Sequence, residues 1–433
     1  MRSGSLLVWC ALLALPGCTS CEDPQPIVVA DDPDPRPPLP TGEGEGDEGE
    51  GEGEGEGEGD VGEGEGEGAC DATDLTVVGS DDKTRVLLLG MPFATEAGTD
   101  GTFVRALRVN DGVIEAQTDE LDVGFRVARI AFSPSGRFAV VVGEDGDVAS
   151  VDVANPAALV IVDALQLPAV GVGDVLIHPT PRGESVLVYI VNANVDAATS
   201  GVSVLALGCD GVLVPDDGAH LGLRLSSALA FLPGDRALLL GGQVTGFEPR
   251  DDDDLRLLSL AGNPTQIAAF DVVTDFVDST SIAAARDGSF AVIPNSSTFS
   301  AEGGDVVVVD IAGDVLSERG RATGAATANA AVIAPDDTVV AVSASNDDAV
   351  LIFDLSGGGA PVLVTTLTNL GFAEQMAQIE RGAHAGRVFV PTLDDAGSFV
   401  HAVDIGGGTG VRGPSFALGN DFEDIPEAIA IQP

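Results

Sequence analysis

The chain has 433 residues and a formal net charge of −49, from 69 acids against 20 Lys and Arg. An excess of that sign excludes nucleic acid as a partner, because phosphate backbones are held by clustered basic side chains. Four His and five Cys are too few for a His-rich metal centre or a dense disulfide scaffold.

Residues 1–17 read as an export signal. Arg2 precedes an apolar run from Leu6 to Leu15 that is too short to span a bilayer. The string Leu15-Pro16-Gly17-Cys18 resembles a bacterial lipobox, in which Cys18 becomes the lipidated first residue, although proline at its second position departs from the pattern. The resemblance implies a lipoprotein of the cell envelope that touches lipid only through this anchor. Thr19, not Asp, follows the cysteine, which points to the outer membrane. Ordinary signal cleavage nearby is the alternative.

Residues 18–69 read as a disordered tether. Within them, residues 22–69 hold eighteen acids and one Arg, first in a Pro-rich stretch and then in a nearly pure Gly-Glu repeat over 42–68. Such a segment has no apolar surface to bury. Its 48 residues reach roughly 160 Å when extended and average about 40 Å as a flexible coil. Either length holds a following domain clear of a lipid surface.

Residues 70–433 carry a repeat. Its clearest copy is RIAFSPSGRFAVVVGEDGDVASVDV, residues 129–153: a strand, a Ser-Pro-Ser-Gly turn, a second strand, a Gly/Asp loop and a third strand. Copies start near residues 129, 174, 228, 281, 330 and 377, at spacings of 45, 54, 53, 49 and 47. Weaker fourth strands follow, as at 158–162 and 361–366. A period of this length with four strands per unit predicts an all-β propeller of four-stranded antiparallel blades. Helical periodicity is absent over any useful length. One further unit fits before residue 129, with strands at 85–89, 103–109 and 113–117, which makes seven blades. The terminal EAIAIQ, residues 427–432, has the look of a first strand with no continuation. It is expected to complete the N-terminal blade and close the ring without an exposed edge. Residues 75–78 are the alternative closing strand.

The segment VVAVSASNDDAVLIFDL, residues 339–355, together with the SPSG and IAPDD turns, is similar to the repeats of YVTN-type seven-bladed propellers, which include lactonase-like proteins. The literal Tyr-Val-Thr-Asn string is missing, and the one Trp falls in the signal, unlike WD40 proteins and tryptophan-rich quinoprotein dehydrogenases. The resemblance implies polar residues at the ring centre. It matches no catalytic residue one for one, so none is assigned, and no nucleophile-elbow, zincin or phosphate-loop motif occurs.

His178, His220, His384 and His401 occupy different positions in their repeats and are not expected to form one site. Cys10 leaves with the signal, Cys18 takes lipid, and Cys21, Cys70 and Cys209 remain. A bridge between Cys70 and Cys209 would staple the start of the folded part; the alternative leaves them unpaired.

The loops from second to third strands, near 91–102, 143–147, 192–201, 242–255, 294–305, 343–348 and 391–398, emerge on one propeller face and vary in length as functional loops do. They hold Glu96, Asp100, Glu144, Asp145, Asp147, Asp196, Glu248, Asp251, Asp252, Asp253, Asp254, Glu302, Asp305, Asp347, Asp348, Asp394 and Asp395, against the single base Arg250. Oxygen-rich clusters suit Ca²⁺, and the run from Asp251 to Asp254 is the candidate metal site, although it lacks the alternating spacing of a calcium loop. Two functions follow. The favoured one is a monomeric, non-catalytic module that binds a protein, glycan or cation through this acidic face. The alternative is a lactonase-like hydrolase with its site in the axial funnel. Acids off the axis favour the first; a deep axial pocket with converging His, Arg and Glu favours the second.

Overall fold

The computed structural model describes residues 83–91, 101–168, 171–194, 198–216, 218–241, 254–272, 281–296, 304–325, 328–371, 375–394, 397–419 and 426–433. The export signal, Cys18, the tether, Cys70 and residues 75–78 lie outside these residues.

Seven antiparallel sheets form the blades of a propeller, each counted here from its inner strand outward. Blade 1 pairs Ala428–Ile431, Thr84–Met91, Phe103–Asn110 and Val113–Asp122, and blade 2 pairs Val127–Phe132, Phe138–Gly143, Asp147–Asp152 and Val160–Gln166. Blade 3 has Val172–Ile177, Ser185–Asn192 and Gly201–Gly208, with an outer edge broken into Leu213–Pro215 and Ala219–His220. Blade 4 is Ser226–Leu232, Arg236–Gly241, Leu255–Ser259 and Thr265–Phe270; blade 5 is Ala283–Ala284, Phe290–Asn295, Asp305–Ala312 and Val315–Thr323. Blade 6 is Ala328–Ile333, Val339–Ala344, Ala349–Asp354 and Val362–Thr368; blade 7 is Ala377–Gln378, Arg387–Asp394, Gly397–Gly406 and Thr409–Gly419. Among the described residues the only helical element is one 3₁₀ turn, Ser345–Asp347.

The outer strands of blades 2 and 6 begin one or two residues later than the apolar pattern predicts. Residues after the third strand are consumed in turns: Asp152 Oδ1 accepts from Ala154 N, and Asn155 O accepts from Ala158 N. His220 pairs with Gly201 at the broken edge of blade 3.

Second strands such as Phe138–Gly143 read as unbroken apolar runs because both faces of a blade are covered. Successive side chains point to opposite faces, so Val140 and Val142 pack against Val175, Val188 and Ile190 of blade 3, while Ala139 and Val141 pack against Val86, Leu88 and Ala428 of blade 1. Seven such clusters join the blades in sequence, and the last unites Phe389 and Val400 of blade 7 with Leu87, Leu89 and Ile429 of blade 1. Outer strands alternate instead, as Val160–Gln166 does between exposed and half-buried positions.

The ring closes as the sequence predicts: Leu87 to Gly90 of blade 1 pair with Ile431 to Ala428. A Cβ on Gly90 would come within 2.5 Å of Val127 Cγ1, so only glycine lets blade 2 approach here. Gln432 locks the closing strand. Its Oε1 accepts from Val86 N (3.1 Å), its Nε2 donates to Gly136 O (2.8 Å), and its carbonyl accepts from Arg85 Nη1 (3.0 Å).

Candidate functional site

Five of the inner strands place an equivalent residue at the axis. In five blades the residue just past the inner strand donates its N–H to the second strand: Ser133 to Phe138, His178 to Leu187, Ala285 to Phe290, Ala334 to Val339 and Ile379 to Arg387. Four positions earlier stand Arg129, Asp174, Ser281, Ala330 and Gln375. All five line one cavity of about 150 Å³, whose remaining wall is Ile130, Ile282, Ala331, Met376 and Ile429.

Asp174 bridges blades 3 and 4. Its Oδ1 accepts from Val175 N (2.8 Å) and its Oδ2 from Leu229 N (3.1 Å). Ser281 repeats the device, its Oγ accepting from Ala331 N of blade 6 (3.2 Å). Asp174 keeps partial contact with the cavity, yet protein closes round its carboxyl, and this burial raises its pKa to about 6 against the lowering pull of the Arg129 charge and the two backbone N–H groups. Arg129 donates from Nη1 to the carbonyl of Ala128 (2.8 Å), which leaves guanidinium donors for a ligand. The cavity thus offers one cation, one carboxylate with a pKa near neutrality, a hydroxyl and an amide.

None of these four polar residues was among the sequence candidates. Their signal was present: a charged or amide side chain four residues before the strand-ending turn, in an inner strand otherwise made of small and aliphatic residues.

The acidic loops join the segments that enter the inner strands on one face of the ring, called the mouth face below. Arg126, just before the inner strand of blade 2, pairs with Glu144 of a second-to-third loop (3.3 Å) and with Glu427, just before the inner strand of blade 1 (3.2 Å). Of the seventeen predicted acids, Glu96, Asp100, Asp196, Glu248, Asp251, Asp252, Asp253, Glu302 and Asp395 lie outside the described residues, as does the side chain of Asp394. The others do not act as one open cluster. Asp305 pairs with Arg321 (3.3 Å), and Asp254 is buried at 3% exposure instead of facing solvent. Asp145, Asp347 and Asp348 are exposed. Burial and then the neighbouring Asp145 charge push the Asp147 carboxyl up. Among the described residues no three His, Cys, Asp or Glu side chains gather round a point that could hold a metal.

The histidines are dispersed, and three of them serve packing or local ties. His178 is buried edge-on to Phe231 and bonds Thr180 through Nδ1; His384 bonds Asp111 between blades 7 and 1 (3.1 Å); His401 is buried and bonded to Ser415 Oγ (2.6 Å). Cys209 is buried and disulfide-bonded, which removes the unpaired alternative for that residue; its partner, like Cys70, lies outside the described residues.

No protein-family model matches the chain, and no curated protein does. Solved structures do. A Bacteroides uniformis protein provisionally assigned as a 6-phosphogluconolactonase aligns with a TM-score of 0.61 at 15% identity, over 81% of this chain and 100% of its own. A Bacteroides fragilis protein of the same provisional assignment gives 0.59 at 15% identity, over 82% and 99%. A hypothetical selenium-binding protein from Sulfolobus tokodaii gives 0.56 at 10% identity, over 78% and 92%. At such identities the likeness establishes the propeller, and function has to be argued from the site.

Proposed function

We propose that the protein is a lactonase-like hydrolase whose site is the axial cavity. The observation that carries this reading is the convergence of Arg129 and Asp174, from equivalent positions of adjacent blades, on one cavity. With a pKa of about 6, Asp174 is mostly ionised at neutral pH and close enough to neutrality to move a proton. It takes a proton from water as the water oxygen attacks the ester carbonyl carbon. The Arg129 guanidinium receives the developing oxyanion. The C–O bond of the ring then breaks, and Asp174 returns its proton to the leaving alkoxide. Lactone and water become a hydroxy acid, and no oxidant or cofactor is needed. Ser281 and Gln375 orient the substrate by hydrogen bonds.

The test is lactone hydrolysis by the full chain and two variants. Asp174→Asn should lower kcat by about 10²–10⁴-fold, and Arg129→Ala by about 10²-fold. Turnover unchanged in both variants would place the chemistry elsewhere.

We also propose that Cys18 anchors this hydrolase at a membrane and that residues 18–69 hold it away from the lipid surface. Labelled palmitate should enter the wild-type chain and not Cys18→Ala; equal labelling of both would end the anchor.

A further inference from the structure

Resting on the hydrolase reading, we infer that the substrate is an uncharged cyclic ester and not a phosphorylated sugar lactone. Three observations carry this. The cavity of about 150 Å³ is small beside the 300–1,000 Å³ usual for ligand clefts. Among its described lining residues Arg129 is the sole cation, and the Asp174 carboxylate beside it makes the pair neutral overall. A phosphate dianion is held by several charge-assisted donors; here the other polar side chains of the described lining are only Ser281 and Gln375.

The third observation is the field at the entrance. The segments that join second to third strands, and outer strands to the next inner strand, all start and end on the mouth face. By sequence they hold twenty-two acids and three arginines, of which seven acids and two arginines are among the described residues. One of these arginines, Arg126, is engaged by Glu144 and Glu427. A face of this sign lowers the local concentration of anions and leaves neutral molecules untouched. It also suits the direction of the reaction. Hydrolysis turns a neutral ester into a carboxylate, which the same field expels, so product release is favoured by the charge that the reaction creates.

The experiment compares glucono-δ-lactone with its 6-phosphate, two probes that differ only by the phosphate group, with δ-valerolactone as a smaller neutral probe, all on the full chain. At low ionic strength the neutral lactones should have a kcat/KM about 100-fold above that of the phosphorylated one. Raising NaCl should narrow that gap, because exposed charges are screened. The triple variant Asp145→Asn/Asp347→Asn/Asp348→Asn alters exposed mouth-face acids outside the cavity. It should raise turnover of the phosphorylated probe several-fold and leave δ-valerolactone unchanged. A phosphorylated lactone hydrolysed as well as the neutral one overturns this inference and leaves the hydrolase intact. A preference for neutral lactones unaffected by salt and by the triple variant overturns the role of the entrance field. Hydrolysis of none of the three probes brings down the hydrolase reading itself.

Discussion

On the mouth face of the ring the connecting segments hold twenty-two acids and three arginines; on the opposite, turn face they hold nine acids and four arginines. The two sets do different work. Charges at the turn-face ends of strands are spent on structure. Arg387 binds Asp404 in a two-pronged pair at 2.7 Å and reaches Gly112 O in the next blade at 2.9 Å, while Arg319 pairs with Asp310 and Arg137 with Asp152 (3.5 Å). Asp152, Asp310 and Asp404, near the ends of third strands, are therefore scaffold residues, each holding an arginine. On the mouth face acids outnumber the arginines by sequence, and of the described ones Asp145, Asp347 and Asp348 are exposed. One repeat thus builds a floor braced by ion pairs and an entrance that is richer in acids by sequence.

That contrast can be broken at several points. The largest effect should come from deleting residues 428–433, which removes the inner strand of blade 1 and opens the ring. Cooperative urea unfolding should be lost; a deletion variant that unfolds with the wild-type midpoint would show that the ring does not depend on this strand. Next come two turn-face residues. Gln432→Ala and Arg387→Ala should each cost about 1–3 kcal/mol by urea midpoint, since each removes bonds between strands or blades that water only partly replaces. A mouth-face counterpart, Asp145→Asn, should cost nothing or add a few tenths of a kcal/mol at low salt. Equal losses on both faces would abolish the distinction.

Asp174 sharpens it further, as a carboxyl that belongs to neither face. Its folded pKa of about 6 lies above the ordinary carboxylate value, so the folded state holds the proton more tightly than the unfolded one. Its contribution to stability is full below about pH 4, is lost as pH rises through 6, and is constant above. The wild-type chain should therefore lose part of its stability between pH 4 and 6 that Asp174→Asn retains. Identical pH profiles over that window would show that the carboxyl is not buried as described. The smallest effect concerns the Asp251–Asp254 run. With Asp254 buried, the run presents at most three carboxylates, so CaCl₂ should raise the Tm of the full chain by no more than about 1–2 °C over NaCl of matched ionic strength. A larger, calcium-specific rise that disappears in Asp251→Asn/Asp252→Asn/Asp253→Asn would restore a cation site to the mouth face.

Strand order, blade number and ring closure were legible in the sequence because their causes are local. Gly and Asp turns, five-to-seven-residue apolar runs and a repeating interval act within one blade, and a spare terminal strand has one edge left to fill. Which loops share a face was legible for the same reason, since loop membership follows from strand order. The axial site was not. Arg129, Asp174, Ser281 and Gln375 lie 45 to 107 residues apart in succession and share no motif. Attention to histidines and acid runs passed over them, although their column in the repeat set them apart. What made them a site is closure of the ring, which brings the inner strands to a common axis. Burial among seven blades then moved the Asp174 carboxyl to about 6. Sequence determined the architecture through short-range pattern. Only the tertiary structure decided which side chains meet at the centre and with what pKa, because proximity and desolvation there are contributed by all the blades at once.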